Sequence, residues 1–200
     1  MSIEVLLAFN LALLAAIVSP GPAMLVSIRT TLVHGRMAGI KTGLGLALMA
    51  AIWTMLALLG LNSIFELFPI AYIAMKTIGA IYLFYIAWNT WKNAKQPLES
   101  DIEIGKNHFR DGFLLNLSNP KSVLFAAAVL VLIFPPDLSL FDKGIIILNH
   151  FVVEIICYTV LAITMSTEAI SKQYLKAKTW LDRFSAIVLS GLGLKLLVEK

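Results

Sequence analysis

Six long apolar runs, separated by polar segments, constrain this chain more than any other feature of its sequence. The runs cover roughly residues 3–28, 38–61, 68–91, 112–134, 144–167 and 182–198. A helix that crosses a lipid bilayer needs about 20 largely apolar residues, with an accepted range of about 17 to 25. The runs therefore predict an all-α membrane protein whose six transmembrane helices lie in a lipid bilayer.

The overall composition supports a membrane protein and excludes several other classes. Hydrophobic residues make up 59% of the chain and charged residues 14%, against about 45–50% and about 25% in soluble domains. The net charge of +4 does not indicate a nucleic-acid partner, because most of the basic residues lie in or beside the connections between apolar runs. Cys157 is the single cysteine, which excludes an intrachain disulfide, a redox thiol pair and a cysteine zinc site. We expect no cofactor and no bound metal.

The distribution of Lys and Arg predicts how the protein is oriented. The first, third and fifth connections together carry eleven of these residues, whereas the opposite side carries three. Connections rich in Lys and Arg stay in the cytoplasm. We therefore expect a multi-pass protein of the bacterial inner membrane with both termini in the periplasm.

The chain divides into two similar halves within one transmembrane domain, residues 1–200. Repeat 1 covers about 1–92, a charged cytoplasmic linker about 92–111, and repeat 2 about 112–200. In each half, proline interrupts the first apolar run at an equivalent place. Three helices per half would insert the halves with opposite orientations. An inverted repeat with matching broken helices is a pointer to the binding site of a transporter.

The proline motifs predict backbone chemistry in the middle of both broken helices. A proline has no N–H, so the carbonyl four residues earlier loses its helical partner. The carbonyls freed in this way belong to Ala16, Val18 and Asn116. Ser19 and Asn119 each precede a proline, a pattern typical of a new helix that begins with a capping side chain and then proline.

Such a break offers N–H groups for a carboxylate and freed carbonyls for an ammonium, the two groups of a zwitterionic amino acid. Lys121 adds a cation inside an apolar run, where a charge is costly and is usually paired or functional. Seven residues are therefore predicted to bind substrate: Ser19, Pro20, Gly21, Pro22, Asn119, Pro120 and Lys121.

The fifth run carries a second candidate group. His150, Glu154 and Tyr158 recur every four residues and so share one face of a helix. An acid within a membrane span, next to a histidine, is a natural site for carrying a proton. We take Glu154 and His150 as candidates for proton coupling.

Several motifs together resemble the LysE/RhtB family of amino-acid exporters over nearly the whole chain. They are Ser19-Pro20-Gly21-Pro22, the glycines at 35, 39, 43 and 45, the stretch 76–83, Gly112-Phe113 and the stretch Asn116 to Lys121. The resemblance implies export of amino acids or close derivatives, driven by the proton gradient. It does not name one substrate.

Other functions stay open at this point. A metal-ion exporter on a related scaffold would need several carboxylates inside the membrane, and Glu154 is the clear example. A membrane oxidoreductase would need two thiols, so we do not expect an enzyme. A non-transporting membrane assembly protein is a further alternative. The sequence does not determine the oligomeric state, and a homodimer is one option.

Overall fold

A computed structural model of the 200-residue chain describes residues 2–18, 21–67, 69–96, 106–135 and 138–198. Within these ranges every regular element is a helix, so the all-α prediction is confirmed there. The helices are α1 (Ile3–Val18), α2 (Pro22–His34), α3 (Arg36–Leu67), α4 (Pro69–Asn93), α5 (His108–Leu117), α6 (Pro120–Ile133), α7 (Leu140–Met165) and α8 (Glu168–Val198).

The same order of helices occurs in both halves: two shorter helices in sequence, followed by two long ones. The first pair meets at an angle of 58° between α1 and Ala23–His34 of α2. In the second half, α5 ends at Leu117 and α6 begins at Pro120. The first and fourth apolar runs are therefore interrupted where the sequence predicts an interruption.

The last helix is longer than the apolar run that predicts it. That run covers 182–198, whereas α8 begins at Glu168. Its first turns are rich in Lys and Ala, which favour a helix without being apolar enough for a membrane span. An apolar run marks the part of a helix that suits lipid and does not mark where the helix begins.

Among the described residues, two helices are long and apolar enough to cross a membrane: Arg36–Gly60 within α3, and α7. The bent pair formed by α1 and α2 meets the same criterion when its two parts are counted as one span. Large apolar side chains such as Leu7, Leu148 and Ile156 face outward, while polar side chains such as Thr54 and Asn116 are buried. This inside-out polarity suits a protein surrounded by lipid. The full set of six spans stays a prediction.

Helix α3 lies at the centre of the molecule and packs against α2, α5, α6 and α7, while α4 packs along α8. Glycines allow the closest of these contacts. A Cβ at Gly112 would collide with the carbonyl of Thr42, and one at Gly45 would collide with the carbonyl of Phe109. The backbones of α3 and α5 therefore touch directly, as small residues permit between membrane helices.

Two apolar clusters fill the interior. The first includes Phe9, Leu13 and Phe125, and the second includes Met24 and Tyr158. Leu13 and Phe125 line one side of an internal cavity, and Met24 and Tyr158 line the other. The cavity therefore lies between the two clusters, next to the breaks in both helix pairs.

Candidate functional site

The first break differs from its prediction in where the new helix begins. Ser19 and Pro20 lie outside the described residues. Gly21, and not Ser19, is the N-cap of α2, with extended backbone angles of φ −129° and ψ −178°, and Pro22 takes the first helical position. A residue before proline avoids the helical conformation, so Gly21 cannot belong to the helix and α2 begins after it. Within the described part of the chain, no side chain caps this helix.

The second break has the predicted form. Asn119 is the N-cap of α6, and its side-chain Oδ1 accepts a hydrogen bond from the backbone N–H of Lys121 at 3.0 Å. Pro120 takes the first helical position. The two breaks are thus not equivalent, because the N-terminus of α6 has a capping side chain and that of α2 has none.

Each of the three carbonyls freed by proline accepts a donor from a side chain in another helix. Lys121 Nζ lies 3.2 Å from the carbonyl oxygen of Ala16. Tyr174 Oη lies 3.3 Å from that of Val18, and Trp53 Nε1 lies 3.3 Å from that of Asn116, which also accepts the backbone N–H of Asn119 at 3.2 Å. Because a carbonyl shielded from water is costly without a donor, these contacts stabilise both breaks. The cation at Ala16 shows that a freed carbonyl here suits an ammonium group.

The face of α7 predicted to carry a proton is buried. His150 stands between two partners, with Nδ1 2.6 Å from Thr54 Oγ1 and Nε2 3.4 Å from Glu154 Oε1. The second carboxylate oxygen, Glu154 Oε2, is buried and has no hydrogen-bond partner among the described residues. Thr54, His150 and Glu154 form a continuous polar chain from α3 to α7.

One cavity brings both predicted groups together. Its volume is about 50 Å³, enough for several water molecules at roughly 10–15 Å³ each. Among the predicted site residues, those that line it are Gly21, Asn119, Lys121, His150 and Glu154. The side chains of Pro22 and Pro120 are not described. The remaining lining is mostly apolar, from α1, α2, α3 and α6.

Comparison with known proteins gives the family. The family described as LysE type translocator matches residues 14–200. This chain belongs to the LysE type translocator family. The relatives include a threonine efflux protein of Escherichia coli K12, 24% identical over 194 residues that cover 94% of each chain. An uncharacterized membrane protein of the same strain, YahN, is 25% identical over 186 residues, 90% of this chain and 83% of its own.

No solved structure shows a significant match to this LysE type translocator. The relatives support its assignment as a membrane protein and a transporter at the level of the family. The resemblance found from the motifs is therefore confirmed. The described residues contain no group of three His, Cys, Asp or Glu side chains that could hold a metal ion.

Three functional candidates of this translocator were missed from sequence. Thr54 and Tyr174 had no distinguishing pattern, because their partners are more than 90 positions away. Asp182 is 3% exposed, and its Oδ2 lies 2.7 Å from Lys178 Nζ. The spacing of four residues between Lys178 and Asp182 was a signal for this pair. Lys178 also donates to the carbonyls of Asn93 and Ala94 at the end of α4.

Proposed function

We propose that this LysE type translocator exports amino acids or close derivatives across the bacterial inner membrane, using the proton gradient. One observation carries the proposal: a single cavity is lined by both helix breaks, by one partly buried lysine, Lys121, and by one buried acid, Glu154. A zwitterionic amino acid in this cavity would place its carboxylate near Lys121 and its ammonium near Glu154. The threonine efflux relatives support an amino acid as substrate.

The N-terminus of α2 is the proposed site for the substrate carboxylate. Because Pro22 has no N–H, the first donors of this helix are the N–H groups of Ala23 and Met24, which have no partner within the helix. Both residues line the cavity, and no side chain caps the helix. The positive end of the helix dipole adds to the attraction. Lys121 supplies a full positive charge on the same cavity.

The opposite charge of the substrate has two acceptors in this cavity. The carbonyl of Ala16 already accepts an ammonium, and Glu154 Oε2 accepts no hydrogen bond from any residue that the structure describes. An α-ammonium placed between them would gain hydrogen bonds to a charged group, which are stronger than neutral ones. The apolar lining from Leu13, Ile17 and Phe125 suits a side chain without charge.

Proton coupling is assigned to the chain formed by Thr54, His150 and Glu154. Export against a gradient requires a group that takes up a proton on one side of the membrane and releases it on the other. Acids and histidines within membrane spans perform this task in pumps and transporters. His150 Nε2 faces Glu154, so the imidazole and the carboxyl can exchange a proton, while the contact of Nδ1 with Thr54 fixes the orientation of the ring.

The proposal also includes six membrane spans arranged as two inverted repeats, 1–92 and 112–200, with the 92–111 linker in the cytoplasm and both termini in the periplasm. The repeated order of helices supports it. The short helix pairs α1–α2 and α5–α6 would each form one broken span, with the substrate held where the breaks meet.

Efflux from proteoliposomes tests the function. Vesicles that contain the purified protein are loaded with labelled amino acids, L-threonine first, and export is followed after a pH gradient is imposed. The expected result is efflux of at least one neutral amino acid above the level of protein-free vesicles. If none of the standard amino acids leaves these vesicles faster than it leaves protein-free vesicles, the proposed function is wrong.

The proline breaks are tested by restoring continuous helix. Pro20→Ala, Pro22→Ala and Pro120→Ala each return an N–H that can bond the freed carbonyl. We expect each variant to reach the membrane in normal amounts and to lose efflux. Pro135→Ala is the matched control, because Pro135 is exposed after the end of α6. Normal export by all three variants would contradict the binding site.

Glu154→Gln tests proton coupling, because an amide of the same shape cannot carry the proton. Uphill efflux driven by a pH gradient should stop, while exchange of labelled for unlabelled substrate continues. Glu4→Gln, at an exposed acid in the first turn of α1, is the control. Loss of both activities in a folded variant would assign Glu154 to substrate binding, and wild-type uphill efflux would exclude it from coupling.

A further inference from the structure

The ammonium of Lys121 occupies a position that the cavity offers to a ligand. Lys121 Nζ donates to the carbonyl of Ala16 at 3.2 Å, and both residues line the cavity. Residue 20 is a proline, so the helix that contains Ala16 supplies no N–H for this oxygen. The freed acceptor therefore holds a primary ammonium that belongs to the protein itself.

The position of Lys121 in its own helix makes this contact informative. Lys121 follows Pro120 in the first turn of α6, where the positive end of the helix dipole disfavours a cation. Its side chain reaches across the cavity to α1, 105 residues earlier in the chain. The contact connects the broken helix of the first half to the broken helix of the second half.

We propose that the ammonium of Lys121 occupies, in the empty protein, the site that the α-ammonium of the substrate takes when it binds. There it donates to the Ala16 carbonyl and joins α6 to α1. An entering amino acid brings its own ammonium to this carbonyl and displaces Lys121, which then pairs with the substrate carboxylate. This inference rests on the proposed function and adds to it a rule for substrate selection.

The rule for substrate selection depends on which acceptor the ammonium of Lys121 finds after it is displaced. When the partly buried ammonium of Lys121 leaves the Ala16 carbonyl, it loses one of its hydrogen bonds, and this loss is costly unless another acceptor replaces the carbonyl. An amino acid provides that acceptor with its carboxylate, whereas an amino alcohol of the same shape provides only a hydroxyl. The wild-type protein should therefore reject a primary amine that lacks a carboxylate, although the amine matches the ammonium site.

Replacing Lys121 should change the affinities for the amino acid and the amino alcohol in opposite directions. Lys121→Met vacates the Ala16 carbonyl and removes the partner of the carboxylate. We expect it to bind the amino acid more weakly and the amino alcohol more tightly than the wild-type protein does. A lysine that only attracts the carboxylate would also repel the cationic amino alcohol, so loss of its charge alone would give some gain in Lys121→Met. Lys121→Gln removes the same charge but keeps an N–H donor for the Ala16 carbonyl, so only displacement predicts tighter binding by Lys121→Met than by Lys121→Gln.

The experiment measures binding of L-threonine and L-threoninol to purified protein, or of another amino acid and its amino alcohol if the efflux screen selects one. The wild-type protein is compared with Lys121→Met, with Lys121→Gln, and with Lys92→Met, an exposed control at the end of α4. We expect the Kd for the amino alcohol to be at least about tenfold lower in Lys121→Met than in the wild type, which is about 1.4 kcal/mol, and to be lower than in Lys121→Gln. Lys92→Met should match the wild type.

The inference is wrong if folded Lys121→Met binds the amino alcohol no more tightly than the wild type does, or no more tightly than Lys121→Gln does. Failure of the proposed function is a separate result, since it would appear as a wild-type protein that neither binds nor exports any amino acid. Folding of each variant is checked by its thermal unfolding temperature in detergent.

Discussion

The contact between α3 and α5 predicts that one glycine-to-alanine substitution lowers the stability of the protein while another raises it. A Cβ placed on Gly112 would collide with the backbone carbonyl of Thr42, and Thr42 is 1% exposed. A backbone oxygen cannot move away as a flexible side chain can, so Gly112→Ala must push the two helices apart. Gly144 in α7 is the matched control, because a Cβ there meets no atom within 4 Å.

The magnitudes follow from the two environments. An extra methyl group in a packed interior costs about 1–3 kcal/mol. Alanine is better than glycine within a helix by roughly 0.5–1 kcal/mol, and this gain applies at both positions. Gly112→Ala should therefore lower the free energy of unfolding by up to about 2.5 kcal/mol, with a central value of about 1 kcal/mol. Gly144→Ala should raise it by about 0.5–1 kcal/mol.

Thermal unfolding of the purified protein in detergent, followed by circular dichroism, measures both changes. For a chain of this size, 1 kcal/mol corresponds to about 2–4 °C in Tm. We expect the Tm of Gly112→Ala to lie below that of the wild type and the Tm of Gly144→Ala to lie above it. If Gly112→Ala is as stable as Gly144→Ala, the backbones of α3 and α5 are not in contact as described.

Two further predictions concern the first break and the topology. Tyr174→Phe removes the hydroxyl that contacts the Val18 carbonyl and Met24 Sδ, and it should lower the free energy of unfolding by about 1–3 kcal/mol, because the partly buried carbonyl loses a donor. In a Pro22→Ala background, residue 22 can supply an N–H to the same carbonyl, so the loss caused by Tyr174→Phe should be smaller. An equal loss in both backgrounds would contradict this role. Reporter fusions at position 100 and at the C-terminus test the orientation in the membrane. The fusion at position 100 should be active in the cytoplasm and the C-terminal fusion in the periplasm. A C-terminal reporter that is active in the cytoplasm would overturn the predicted topology.

Much of the local structure could be predicted because its cause lies within a few residues. Asn119 before Pro120 predicts a capped helix start, and the structure has it there. The spacing of His150, Glu154 and Tyr158 predicts one shared face, and all three are buried on α7. The start of α2 was placed two residues too early, because the effect of Pro22 on Gly21 outweighed the capping pattern at Ser19.

The sequence alone determined which backbone carbonyls of this protein lack their usual N–H partner within a helix. A proline removes an N–H wherever it stands, so the freed carbonyls of Ala16, Val18 and Asn116 follow from residue identity. Only the tertiary structure decided what meets them. Lys121 reaches Ala16 and Tyr174 reaches Val18 from helices more than 100 residues away, and such pairs depend on how whole helices pack. The shape of a cavity that joins α1, α2, α6 and α7 arises from that packing, which no local pattern encodes.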